Sequence, residues 1–162
     1  MLDGRYGLVL IDSRVRGGAG GMADHGYPAW ASTTACPRET WQGVALHEIG
    51  HALRLADEYV HPALDHQHWR GERNVVDSGD VDSAPWGQLF NEQPPSEASR
   101  FTREQQLSMR QGDLPADLAF VGMFAGARYR TDYYRPSLNC LMNATDCPQF
   151  CRVCAEEIRG TL

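Results

Sequence analysis

His47-Glu48-Ile49-Gly50-His51 is the stretch on which the reading of this chain turns. On a helix, positions i and i+4 fall about 40° apart on one face. His47 and His51 then project together, close enough for both imidazoles to bind one cation. Glu48 is offset by one position, which suits a general base acting on metal-bound water better than a ligand. Trp41, Ala45, Ile49 and Ala52 recur at helical spacing and predict an amphipathic helix from about Glu39 to Leu53. Its apolar stripe packs inward, and the histidines lie to one side of it.

A third ligand is expected soon after the helix. Asp57 stands ten positions beyond His47, the position used in the metzincin plan HExxHxxGxxH or HExxHxxGxxD. There a sharp turn brings position ten back to the metal. The turn position of that plan is glycine, because a left-handed backbone is cheap only for glycine. This chain has Arg54 there, which leaves Glu58 open as an alternative third ligand. Farther on, Ser137-Leu138-Asn139-Cys140-Leu141-Met142-Asn143 has the look of a Met-turn, with Met142 as its methionine.

Taken in order, these pieces resemble the IgA-specific metalloendopeptidase family, a bacterial group of metzincin-like zinc peptidases. Gly7-Leu8-Val9-Leu10-Ile11-Asp12, then Gly17-Gly18-Ala19-Gly20-Gly21, resemble that family's strand and glycine-rich turn. The HExxH stretch and Leu55-Ala56-Asp57-Glu58-Tyr59 resemble its HEFGH and LADEY segments. Asn74-Val75-Val76 with Pro85-Trp86, Val121-Gly122-Met123-Phe124 and Tyr134-Arg135-Pro136 are similar to its middle segments. Cys140-Leu141-Met142 and Phe150-Cys151-Arg152-Val153-Cys154 resemble its closing "CxM…FCxVC". The resemblance spans residues 7 to 158. It implies His47, His51 and Asp57 as zinc ligands, one zinc per chain, Glu48 as catalytic base and Met142 as the Met-turn residue. It also implies a protein or peptide substrate and a secreted or periplasmic location.

Size and composition agree with one domain over residues 1–162. Apolar residues make up 42% and charged residues 22%, as in ordinary globular chains. A net charge of −6 without a basic run speaks against nucleic acid as a partner. No apolar stretch nears the roughly 20 residues that cross a bilayer, and residues 1 to 25 lack the pattern of a secretion signal.

The expected fold is α/β (α+β): a metzincin-like zincin domain with a small twisted sheet, the active-site helix, an irregular lower half, the Met-turn and a C-terminal helix. Tyr6 to Asp12 reads as a buried strand, Ser13 to Asp24 as a glycine-rich loop, and Tyr27 to Thr33 as a strand along the substrate cleft. Residues 60 to 115 read mainly as loops, with a polar surface helix over Ser96 to Met109. Pro148 to Arg159 reads as the last helix. Metzincins place a helix and one or two strands ahead of the strand at Tyr6, so the domain is expected to lack the first elements of the upper sheet.

Cys140, Cys147, Cys151 and Cys154 crowd into 15 residues, while Cys36 stands apart. A disulfide from the Met-turn to the last helix, a four-cysteine structural zinc and buried reduced thiols are all open. His25, His61, His66 and His68 read as surface histidines. Of Tyr59, Tyr133 and Tyr134, Tyr134 is the expected oxyanion donor, since metzincins often place such a tyrosine near the Met-turn.

The expected activity is zinc-dependent peptide hydrolysis through a water activated by Glu48. A metal-binding domain without proteolytic activity, used for partner or surface binding, is the alternative, because the upper sheet looks truncated and Arg54 breaks the turn pattern. A structural zinc module built on the cysteines alone leaves HExxH unexplained.

Overall fold

The computed structural model describes residues 6–12, 17–21, 29–34, 41–61, 71–90, 100–101, 121–145, 147 and 149–161. They form a mixed α+β architecture. The first sheet contains β1 (Tyr6–Ile11), β2 (Gly18–Gly21) and β3 (Ala29–Thr34) in the order β1-β3-β2. β1 runs parallel to β3 and β2 antiparallel to it. Helix α1 (Trp41–Ala52) packs on β3 and β2. β3 alternates as a half-buried strand should: Ala29, Ala31 and Thr33 are buried, while Trp30, Ser32 and Thr34 are more open.

Two expectations about the first sheet are corrected. β1 is a strand but not a buried one. It is the edge strand on the side away from α1, and Leu8, Val9, Leu10 and Ile11 are each about half exposed (50, 53, 53 and 46%). The glycine-rich stretch is not all loop, because Gly18–Gly21 pairs residue by residue with Thr33 back to Trp30. Glycine is needed there for closeness. A Cβ on Gly20 would stand 2.3 Å from the Glu48 carbonyl oxygen, and one on Gly18 would stand 2.7 Å from Glu48 Cγ. The bare backbone therefore lies directly on the helix face that carries Glu48 and His51.

The second sheet orders β4 (Arg100–Phe101), β5 (Met123–Ala127) and β6 (Arg130–Arg135) in sequence, with β4 parallel to β5 and β6 antiparallel. Arg100–Phe101 is thus strand where a surface helix was expected; the rest of Ser96 to Met109 lies outside the described residues, as do Cys36, His25, His66 and His68. Residues 71–90 are turns with short 3-10 segments at Val81–Ser83 and Gly87–Leu89, the irregular region foreseen. α2 (Arg152–Thr161) is the C-terminal helix.

The main core lies between the second sheet, α2 and the end of α1. Leu55, Val76, Trp86, Met123, Met142 and Val153 are buried together in it. Trp86 is 1% exposed, and its indole N–H donates to the Gly122 carbonyl at 3.0 Å. That bond satisfies the ring's one polar atom inside an apolar cluster. Among the described residues no helix is long and apolar enough to cross a membrane.

Candidate metal centre

Helix α1 ends in a way that decides where the following residues go. The Arg54 N–H donates to the His51 carbonyl (3.0 Å) and the Leu55 N–H to the Gly50 carbonyl (2.9 Å). Arg54 itself sits at φ 70°. This is a Schellman turn with arginine in the left-handed position that glycine usually takes. The expected departure is therefore absorbed as local backbone strain, and the chain turns straight back along the helix.

Asp57 arrives beside the histidine pair as a result. Its Oδ1 lies 3.0 Å from His47 Nε2 and 3.3 Å from His51 Nε2. Each imidazole is oriented through its other nitrogen: His47 Nδ1–H donates to the Leu141 carbonyl and His51 Nδ1–H to the Leu55 carbonyl, both at 2.9 Å. A carbonyl can only accept, so Nδ1 carries the proton in each neutral ring, and each Nε2 directs a lone pair at Asp57 Oδ1. Two lone pairs and a carboxylate that meet at about 3 Å repel one another unless something positive stands among them. The three atoms are spaced as the corners of a cation's coordination shell. The donor set, two imidazoles and one carboxylate, fits zinc.

The electrostatics agree. Burial works against a charge on Asp57, but once the imidazoles are protonated their Nε2–H groups donate to it, outweigh burial and hold the carboxyl well below the usual carboxylate range. Burial also opposes charge on His51, yet Asp57, with the Leu55 carbonyl, raises its pKa. Glu48 is half-buried next to them. Desolvation pushes its pKa above the ordinary value, although both histidines pull the other way.

Glu48 and His47 line a cleft of about 320 Å³ with Gly17, Gly18, Val44, Tyr59 and residues 143–145. The cleft thus runs between the glycine strand and the loop after Met142. Met142 is fully buried beneath α1, where a Cβ on Gly50 would meet its sulfur at 2.5 Å. Its carbonyl accepts from the Glu58 N–H at 2.8 Å. The 141–142 segment therefore braces both His47 and the residue after Asp57.

The structure brings His47, Glu48, His51 and Asp57 together, with Met142 underneath. It does not bring Tyr134 or Glu58 to them. Tyr134, the expected oxyanion donor, pairs with Val76 through its backbone, and its ring and hydroxyl lie against Gly79. Glu58 follows Asp57, but its side chain is engaged elsewhere. It reaches Asn74 and Cys154, and burial pushes its carboxyl well above the ordinary range.

Tyr129 is the residue that sequence reasoning missed. Its hydroxyl donates to Asp57 Oδ2. It stands with Arg128 at the two-residue tip of the β5–β6 hairpin, and both have positive φ, 69° and 49°. Such a tip normally carries Asn-Gly or Asp-Gly, so Arg-Tyr at the tip is strained. Backbone bonds lock it in place: Arg128 N–H to the Asp57 carbonyl (2.8 Å) and Tyr129 N–H to the Tyr59 carbonyl (2.9 Å). A buried Arg128–Glu72 ion pair at 3.1 Å adds to the lock. Tyr59 packs against both Tyr129 and His47, with ring centres 5.4 and 6.3 Å away. Burial and the Asp57 charge push Tyr59 up to about 12 and Tyr129 well above the ordinary phenol range, so both keep their protons. Arg-Tyr in a hairpin tip was the one available signal, and it shows only once the hairpin is known.

His47, His51 and Asp57 thus form a group that could hold a metal ion, beside Glu48 at a cleft. A family model described as IgA Peptidase M64 matches residues 102–162, which take in β5, β6, Met142 and α2. The motifs and the comparison thus point to the same peptidase family. No curated protein matches the chain.

Proposed function

We propose that the chain is a zinc-dependent endopeptidase of metzincin type, one domain over residues 1–162, that acts on protein or peptide substrates outside the cytoplasm. The observation that carries the proposal is the convergence of His47 Nε2, His51 Nε2 and Asp57 Oδ1 beside Glu48 at the wall of an open cleft. His47, His51 and Asp57 hold the ion. When bound, zinc supplies a polarised scissile carbonyl and a more acidic attacking water.

Glu48 takes the proton from that water and returns it to the leaving amine. Its partly desolvated carboxyl suits this traffic, because a raised pKa makes it a better base and keeps the proton within reach of transfer. Tyr129 and Tyr59, both protonated, supply donors at the edge of the centre. Tyr129 orients Asp57, and Tyr59 faces the cleft. Met142 acts as the Met-turn residue, packed under the ligand helix. Gly17 and Gly18 leave room for an extended peptide backbone along the cleft wall.

Arg54 motivated the inactive, binding-only alternative. Its left-handed φ keeps Asp57 at the histidines, which favours the catalytic reading. The test is hydrolysis of casein or gelatin by the purified chain, with and without a chelator and with Glu48→Gln as control. Zinc-loaded protein that cleaves nothing, across a broad peptide library, supports the binding-only domain instead.

A further inference from the structure

Asp57 and Glu58 point to opposite sides of one chain segment, and a second ligand set surrounds Glu58. Its members are Glu58, Cys140, Cys151 and Cys154, at 0, 0, 1 and 0% exposure. Each offers one ligand atom, and these atoms all lie within 4.8 Å of one another. They come from three places in the fold: the segment after α1, the loop that carries Met142, and the start of α2.

The sulfur spacing fits a closed tetrahedral site. Cys140 Sγ and Cys154 Sγ stand 3.7 Å apart, and Cys154 Sγ lies 3.0 Å from Glu58 Oε1. A disulfide would bring two sulfurs to about 2.05 Å. Two thiolates on one tetrahedral zinc, each bonded at about 2.3 Å, stand about 3.8 Å apart. Buried thiols alone would be unremarkable core residues. A carboxyl set among three of them is different, because Glu58 Oε2 is buried with no hydrogen-bond partner. An apolar pocket would select leucine or methionine there, since a buried, half-satisfied carboxylate is costly.

The surroundings support ligation. The Asn74 side-chain N–H donates to Glu58 Oε1 at 3.0 Å and fixes the carboxylate. The Cys151 backbone N–H donates to Cys140 Sγ at 3.3 Å, a contact that stabilises a thiolate. Buried Arg135 lies near enough to act on Glu58 as an opposite charge. Cys147 takes no part; its Sγ lies 3.5 Å from the Gln149 carbonyl.

We propose that Glu58, Cys140, Cys151 and Cys154 form a second metal site that holds a structural zinc ion. Four protein ligands leave no open position, so this ion fixes structure and does not bind substrate. Its uptake releases the protons held by the thiols and by the Glu58 carboxyl. It joins the residue after Asp57 to the Met142 loop and to α2, and so clamps the frame of the first site.

The experiment uses the full chain purified in zinc buffer with reductant. Wild type is expected to hold two zinc ions per chain. A His47→Ala/His51→Ala variant is expected to keep one, with a mainly sulfur shell in X-ray absorption. Adding Cys151→Ser to that variant should remove it. Should the variants fail to fold, cobalt-loaded wild type still decides, because the histidine–aspartate site has no thiolate to give thiolate-to-cobalt charge-transfer absorption. A purely nitrogen and oxygen shell with no such band overturns the proposal. So does mass spectrometry that finds Cys140 bridged to Cys151 or Cys154 in protein purified without reductant and retaining one zinc.

Discussion

Tyr129 donates its hydroxyl hydrogen to Oδ2 of Asp57, across 72 positions of sequence, while the other oxygen of the same carboxylate faces both histidines. The carboxylate is thus held at both ends. The hairpin tip that delivers Tyr129 is strained at two residues, and its backbone is bonded to the segment that carries Asp57. Strain kept next to the proposed metal site is consistent with a positioning role.

Tyr129→Phe is expected to lower zinc affinity or hydrolysis by about 10- to 100-fold, the usual effect of deleting a partner that orients a ligand. Tyr134→Phe, whose hydroxyl lies against Gly79, should stay within about twofold of wild type by the same comparison. Zinc titration and peptide hydrolysis on both variants check the ranking. Equal losses would remove Tyr129 from its positioning role.

Glu48→Gln should keep zinc and lose hydrolysis by at least about a hundredfold, since it removes the base and leaves the ligands in place. Metal content is measured alongside the rate. Activity close to wild type would place the base elsewhere.

Asp57→Ala should weaken zinc at the histidine pair by orders of magnitude, because its Oδ1 is the third converging donor. Glu58→Ala should leave that pair's zinc within about 100-fold of wild type. Its side chain faces Asn74 and Cys154. The ranking is read from competition titrations with a chelating dye. A reversed order would make Glu58 the ligand.

Arg54→Gly should stabilise the protein by about 1 kcal/mol, as glycine holds the φ of 70° without the Cβ clash. Arg54→Val should destabilise it, since a β-branched residue tolerates that backbone least. Urea unfolding of both variants tests the pair, and equal midpoints would contradict the Schellman turn.

Gly20→Ala should cost about 1–3 kcal/mol and reduce activity with it. Its Cβ would meet the Glu48 carbonyl at 2.3 Å, and a backbone atom cannot rotate away. Thermal melts read the loss. An unchanged melting temperature would mean that β2 does not lie on α1 as described.

Helix α1 was legible in the sequence because its signal is local. The i, i+4 histidines and the apolar period fix one face of α1 without reference to the rest of the chain. The choice between Asp57 and Glu58 was only half legible. Spacing favoured Asp57, but Arg54 put the turn in doubt, and only the folded backbone shows that arginine takes the left-handed position. The strand at Gly18–Gly21 was hidden, since glycines that mark a loop in sequence also allow close packing on a helix. The exposure of β1 was hidden as well. An apolar run predicts a strand, but which strand ends at the edge is a matter of sheet order.

Local periodicity and spacing by themselves determined the helix that carries His47, Glu48 and His51, and the last helix. Tertiary structure alone decided that Tyr129 and not Tyr134 meets Asp57, and that Glu58 joins three cysteines and not the histidines. The physical reason is one of distance along the chain. A helix face repeats within four residues, whereas these contacts bridge 72 and 96 positions, and are set by hairpin geometry and core packing that no local pattern encodes.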